Sequence, residues 1–245
     1  MRAALLIAGQ PRTMEFCYPS LKRHILDVYQ PDVFISTDSQ KARMLELFNP
    51  ISISVRPQLQ IHKLAARLRQ PYLSKDGFET MVAKDLSIAW KVWRAAALKR
   101  AYEIQRGAAY DVVILTRFDV KFHCVPEIKT PAENTIHLPR KGAYWITPPD
   151  APGIHWHGHS AHLCWMPSRI ADLLSGMYFE GEDIFKLACE SAAFGYIPEY
   201  VFKFFLDRNH IAVEFFDAEM MLIRGTSEAP LSFHNLSLAD YPDYL

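Results

Sequence analysis

Apolar residues fall in short runs rather than being spread evenly along the chain. Ala3 to Ala8 is a continuous apolar stretch closed by Gly9-Gln10-Pro11-Arg12, the pattern of a strand buried on both faces of a parallel sheet. Asp32 to Thr37 (DVFIST) and Asp111 to Thr116 (DVVILT) repeat that signature, and Ile51 to Val55 (ISISV) alternates. Between these strands the period changes. Pro19 to Tyr29 carries Leu21, Ile25 and Val28 at helical spacing. Lys84 to Arg106 carries Leu86, Ala89, Trp90, Trp93, Ala97, Ala101 and Ile104 near the helical period, with Gly107 as a stop signal. Strand, helix, strand, helix, strand predicts an α/β fold: Rossmann-like, with a mostly parallel central sheet and helices on both faces.

The second half is less regular. Six prolines between Pro126 and Pro152 mark loops with short strands, and Ser168 to Tyr178, Glu182 to Phe194 and Glu199 to Asn209 read as helices. Ala212 to Phe216 and Met220 to Ile223 read as late strands. No internal repeat or linker interrupts the pattern, so a single domain over 1–245 is expected.

Open α/β sheets bind ligands beyond the carboxyl ends of their strands, which directs attention to Gly9 to Thr13, Thr37 to Gln40 and Arg117 to Lys121. Gly9 lets a ligand approach the backbone, while Gln10 and Arg12 offer donors. Thr37 and Asp38 leave the second strand. Arg117 and Asp119 follow DVVILT directly: the carboxylate suits a divalent cation and the guanidinium a phosphate, and a mutual salt bridge closing the strand end is the competing reading. Four histidines lie in His155-Trp156-His157-Gly158-His159-Ser160-Ala161-His162. With no cysteine beside it and no HExxH, the run reads as polar loop residues lining a cleft, with His157 and His159 as candidate metal ligands. Asp183 and Glu199 are candidate bases, each equally suited to a helix N-terminus. Trp145 and Trp156 are candidates for stacking on a sugar or base.

Composition narrows the classes. In 245 residues, 27 basic side chains balance 27 acidic ones, which argues against a nucleic-acid partner. With half the residues apolar, a sizeable core is expected. Cys17, Cys124, Cys164 and Cys189 form no CxxC pair and read as buried free thiols in a reducing compartment. No run is long enough for a secretory signal or a membrane span. A cytoplasmic protein is expected, which leaves peripheral membrane association open. Neither GxxxxGK, GxGxxG nor GxSxG occurs.

Three segments together, ALLIAGQPRTMEFCYPSLKRHILDVYQPDVFIST, FNPISISVRPQ and YDVVILTRFDVKF, resemble a family of small glycosyltransferase-like proteins of bacteria and large viruses. The likeness is good over the first 125 residues and looser to about Arg224, carried there by PEYVFKFFLDRNHIAV and LIRG. It implies a GT-A type fold, with residues 1–125 as a nucleotide-sugar-binding half and 126–245 as an acceptor-side half. It further implies Asp119 as ligand of Mn2+ or Mg2+, with Gly9, Gln10 and Arg12 bordering the nucleotide. Arg117 stands where the family's strand-end motif often has an acidic residue. Relatives commonly carry His-Thr-Trp where this chain has Ser36-Thr37-Asp38, and an acidic residue near the position of Ser160. The expected activity is metal-dependent, inverting transfer from a nucleotide-sugar donor to a saccharide or glycolipid acceptor in surface polysaccharide synthesis. A nucleotidyltransferase and a non-catalytic nucleotide or carbohydrate binder are the rivals.

Overall fold

Seven strands make the central sheet of the computed structural model, which describes residues 1–38, 45–56, 78–140, 144–146, 156–158, 162–177, 198–225 and 230–234. The strands are β1 (Ala3–Ala8), β2 (Asp32–Thr37), β3 (Ser52–Val55), β4 (Val112–Thr116), β6 (Thr135–Pro139), β9 (Leu163–Met166) and β10 (Ala212–Phe216), in the order β10-β6-β9-β4-β1-β2-β3. All neighbours are parallel except β9, which runs antiparallel to β4 and β6. Strands from both halves of the chain therefore share one sheet. A second, antiparallel sheet joins β5 (Val120–Cys124), β11 (Glu219–Gly225) and β12 (Pro230–His234), and β7 (Tyr144–Ile146) pairs with β8 (Trp156–Gly158).

Alternation along β1 shows why the sheet is covered twice. Ala4, Leu6 and Ala8 face one core with Phe34, Val113 and Leu115, packed by Val92, Ala95 and Ala96 of α3 (Phe78–Arg106), Ile170 and Leu174 of α4 (Ser168–Gly176), and Phe202 and Phe205 of α5 (Pro198–Arg208). Ala3, Leu5 and Ile7 face the other, with Met14 and Leu21 of α1 (Met14–Leu21) and Phe122 and Met220 of the second sheet. A purely apolar strand needs partners on both sides, and it has them.

Two helices depart from the periodicity reading. The first begins at Met14, ahead of Pro19, then widens through a π-helical turn, Lys22–Leu26, into α2 (Asp27–Tyr29). In the long helix the predicted stripe fails toward its end: Ala97 and Ala101 are exposed and Ile104 is 74% exposed. The buried face there includes Lys99 and Glu103. Lys99 Nζ pairs with Glu103 Oε2 (2.9 Å) and Asp172 Oδ1 (3.0 Å) and donates to Ser168 Oγ. A lysine and a glutamate four apart can be buried because each neutralises the other. Gly107, at φ 68°, ends the helix as read.

Cys17 and Cys164 are buried free thiols, but Cys124, at the end of β5, is exposed, which corrects the expectation for that residue. Among the described residues no helix is long and apolar enough to cross a membrane.

Candidate functional site

Because β4, β1 and β2 are parallel neighbours, the chain segments leaving their carboxyl ends emerge side by side. Gly9, at φ 144°, turns the chain out of β1, and its N–H donates to Ser36 O (3.1 Å). Residues with a side chain seldom adopt that φ. A Cβ built on Gly9 would lie 3.9 Å from Phe118 Cδ2, so the β1 exit packs on the Arg117-Phe118-Asp119 turn. One residue of β11 ties both exits together: Thr13 Oγ1 donates to Ile223 O (2.8 Å), and Ile223 N–H donates to Asp119 O (2.8 Å). The second sheet thus fixes where Asp119 stands.

Arg117 grips Asp119 with two parallel bonds, Nε to Oδ1 at 2.8 Å and Nη2 to Oδ2 at 2.7 Å. Their side chains are 21% and 12% exposed. The salt bridge anticipated as the plain alternative is present, and both carboxylate oxygens take part in it. Asp119 also lies close enough to Cys17 to help raise that thiol, which burial chiefly pushes up to about 12.

At the end of β2, Asp38 Oδ2 accepts from Gln10 Nε2 (2.9 Å) and pairs with Lys91 Nζ of α3 (2.9 Å), all but out of contact with solvent. Lys91 also donates to Ser87 Oγ (2.8 Å). Thr37 is fully buried, and its carbonyl accepts from Arg56 N–H (3.0 Å). Arg94 donates from Nε to Ser54 Oγ (2.6 Å) and lies 5.4 Å from the centre of the Trp90 ring. Burial, and then the neighbouring charge of Arg56, lower its affinity for its proton. Arg12, exposed on the β1 exit, and Arg117 add two more cations to this edge. The rim collects positive charge in a chain that is neutral overall.

Sequence reasoning missed Lys91, Arg94 and Arg56 as members of this edge, although Ser87, Lys91 and Ala95 repeat at intervals of four on one buried helix face. It read His162 only as one of the polar loop histidines of the 155–162 run. That residue is buried immediately before β9, its carbonyl accepting from Thr116 Oγ1 (2.8 Å). The end of the histidine run is therefore beside Arg117. β8, carrying Trp156 and His157, ends four residues before His162, within about 14 Å by chain reach. It packs against α5, whose second residue is Glu199. The side chains of Trp145, Trp156, His157 and Glu199 lie outside the described residues, as do His159 and Asp183 altogether.

No protein-family model and no curated protein sequence matches the chain. Solved structures do. Over 90% of this chain and 74% of the other, it superimposes on core-mannan synthase A (CmsA/Ktr4) from Aspergillus fumigatus in its Mn/GDP form, with a TM-score of 0.54 and 10% identity. The fold is the GT-A type. Mouse xyloside xylosyltransferase 1, in its apo form, aligns over 88% of this chain and 85% of that one, with a TM-score of 0.47 and 11% identity.

The core-mannan synthase A structure holds manganese together with GDP. Among the described residues no three His, Cys, Asp or Glu side chains gather into a metal-binding group. Asp119 nevertheless fits such an ion, because magnesium-like cations are held by one or two carboxylates while substrate phosphates and water supply the remaining oxygens. What the strand ends offer is two carboxylates, Asp38 and Asp119, each paired with a cation, and the exposed Arg12 on the β1 exit, rather than a closed cage.

Proposed function

We propose that the chain is a glycosyltransferase that moves a sugar from a nucleotide-sugar donor to a saccharide or glycolipid acceptor. The observation that carries this reading is the meeting of the β1 and β4 exits at the carboxyl edge of a GT-A sheet, with Gly9 packed against Phe118 between Arg12 and the Arg117–Asp119 pair. The Mn/GDP form of core-mannan synthase A supports a nucleotide and a divalent ion as the ligands of this edge.

In this proposal residues 1–125 bind the donor. Gln10, Arg12, Thr37 and Asp38 border the nucleotide, and Arg12 and Arg117 face the diphosphate. Asp119 holds Mn2+ or Mg2+, which would stabilise charge on the departing nucleoside diphosphate. Guanidinium groups suit that task because they are always charged and match phosphate geometry. Residues 126–245 present the acceptor, whose hydroxyl loses its proton to Asp183 or Glu199 in an inverting transfer. The packing of β8 against α5 supports a place for Glu199 and His157 on this side. Free thiols at Cys17, Cys124 and Cys164 accord with a cytoplasmic setting.

The test is a thermal-melt screen of nucleoside diphosphates and nucleotide sugars, each with and without Mn2+, followed by a turnover assay with the stabilising donor. Stabilisation requiring both nucleotide and metal is expected, since a ligand that binds only the folded state raises its stability. Absence of any nucleotide effect overturns the reading. Nucleotide binding without transfer or donor hydrolysis points instead to a binder of the same fold.

A further inference from the structure

Asp119 offers two oxygens, and Arg117 engages both. A cation that takes this carboxylate competes with those bonds for the same charge and lone pairs, and weakens or displaces them. The displaced guanidinium is a planar fork that seeks another pair of anionic oxygens, and a diphosphate arriving with the cation supplies them. The pair is also well placed for exchange. It is half-buried rather than sealed, with side chains 21% and 12% exposed, so a released Arg117 can reach water. The carboxylate itself is not free to follow, because its backbone carbonyl accepts from Ile223 N–H and the preceding Phe118 is buried against Gly9.

We propose that Arg117 and the divalent cation are alternative partners of Asp119, so that Arg117 shields the carboxylate in the empty protein and turns to the donor diphosphate when nucleotide and metal bind together. This rests on the nucleotide-sugar reading above. It assigns Arg117 a positioning role that a static salt bridge lacks: the arginine makes metal binding conditional on nucleotide.

The experiment titrates the full chain with Mn2+ alone, following free ion by electron paramagnetic resonance, for the wild type, Arg117→Gln, Asp119→Asn and the double variant. Arg117→Gln is expected to bind Mn2+ about tenfold more tightly than the wild type, in keeping with loss of a competing charge–charge contact. The gain should vanish in the double variant. With Mn2+ present, Arg117→Gln should bind nucleoside diphosphate about tenfold more weakly. If Arg117→Gln fails to fold, Arg117→Met serves, since it also removes the charge while keeping an unbranched stem. Unchanged Mn2+ affinity on loss of the fork overturns the inference, as does a gain that survives in the double variant. Wild-type stabilisation by nucleotide plus metal distinguishes that failure from failure of the glycosyltransferase reading.

Discussion

Lys91 of the long helix and Asp38 at the end of β2 form an ion pair of 2.9 Å between side chains only 4% and 6% exposed. They join a helix face to a strand end at the edge where the ligand is proposed to bind. Buried pairs of this kind add little net stability, yet removing one partner leaves an uncompensated charge. Lys91→Met is therefore expected to cost about 3–5 kcal/mol in urea unfolding. Lys91→Met with Asp38→Asn should recover much of that loss. If the double variant is as unstable as the single one, stranded charge is not the cause.

A second buried network, about two turns further along α3, makes stability depend on acid. Burial by itself would raise Glu103, but hydrogen bonds from Lys99, Ser168 and the Tyr110 N–H outweigh it and hold the carboxyl below its ordinary range. A lowered carboxyl contributes stability above its unfolded value, and that contribution is lost as pH falls through the folded one. Asp172, raised chiefly by its own burial, acts in the opposite sense and blunts the effect. Glu103→Gln should thus cost about 3 kcal/mol at pH 7 and progressively less below pH 4. Urea midpoints of wild type and variant, compared at pH 7 and pH 3, check this.

These two networks also mark where sequence reading stopped. β1, β2 and β4 were legible because strands buried on both faces carry uninterrupted apolar runs. The exits at Gly9, Asp38 and Arg117 followed from the parallel order. Lys91 and Lys99 were illegible as buried residues because a lysine's place is decided by a partner elsewhere, 53 positions earlier for Asp38 and 73 later for Asp172. Following apolar residues alone rotated the helix face toward Ala97, Ala101 and Ile104. β9 was missed for a related reason. At four residues, LCWM is too short to show a period, and its antiparallel pairing with β4 is tertiary.

Gly9 separates conformational strain from steric exclusion. A Cβ there meets ordinary contact, 3.9 Å from Phe118 Cδ2, yet φ is 144°. Gly9→Ala is expected to lower stability by about 1–3 kcal/mol through backbone strain. Because Arg117 and Asp119 adjoin Phe118, nucleotide affinity should fall as well. Thermal melts with and without nucleoside diphosphate test both effects, and full retention of stability would show that the turn relaxes freely.

Thiol reactivity gives an independent check on the packing around Asp119. Cys17 is buried and pushed up to about 12, first by burial and also by the charge of Asp119, while Cys124 is exposed. The thiolate is the reactive form, so iodoacetamide at pH 8 should label Cys124 well before Cys17, as read by peptide mass spectrometry. Comparable labelling of both would contradict the packing of α1 against β5.

Asp119 is the residue on which function and structure make opposite demands. Its pairing with Arg117 is half-buried, and the asparagine gives up the charge while keeping one acceptor, so Asp119→Asn should cost stability about 2 kcal/mol. Turnover should suffer far more. If the carboxylate positions the cation that offsets charge on the leaving diphosphate, kcat should fall by at least about a hundredfold, and Mn2+ should no longer add to nucleotide stabilisation in thermal melts. The asparagine keeps one oxygen for Arg117 and the backbone bond to Ile223, so a large loss of melting temperature would point to a structural role instead. An Asp119→Asn protein with wild-type kcat and Mn2+ dependence would show that the cation, and with it the reacting diphosphate, sits elsewhere on the sheet edge.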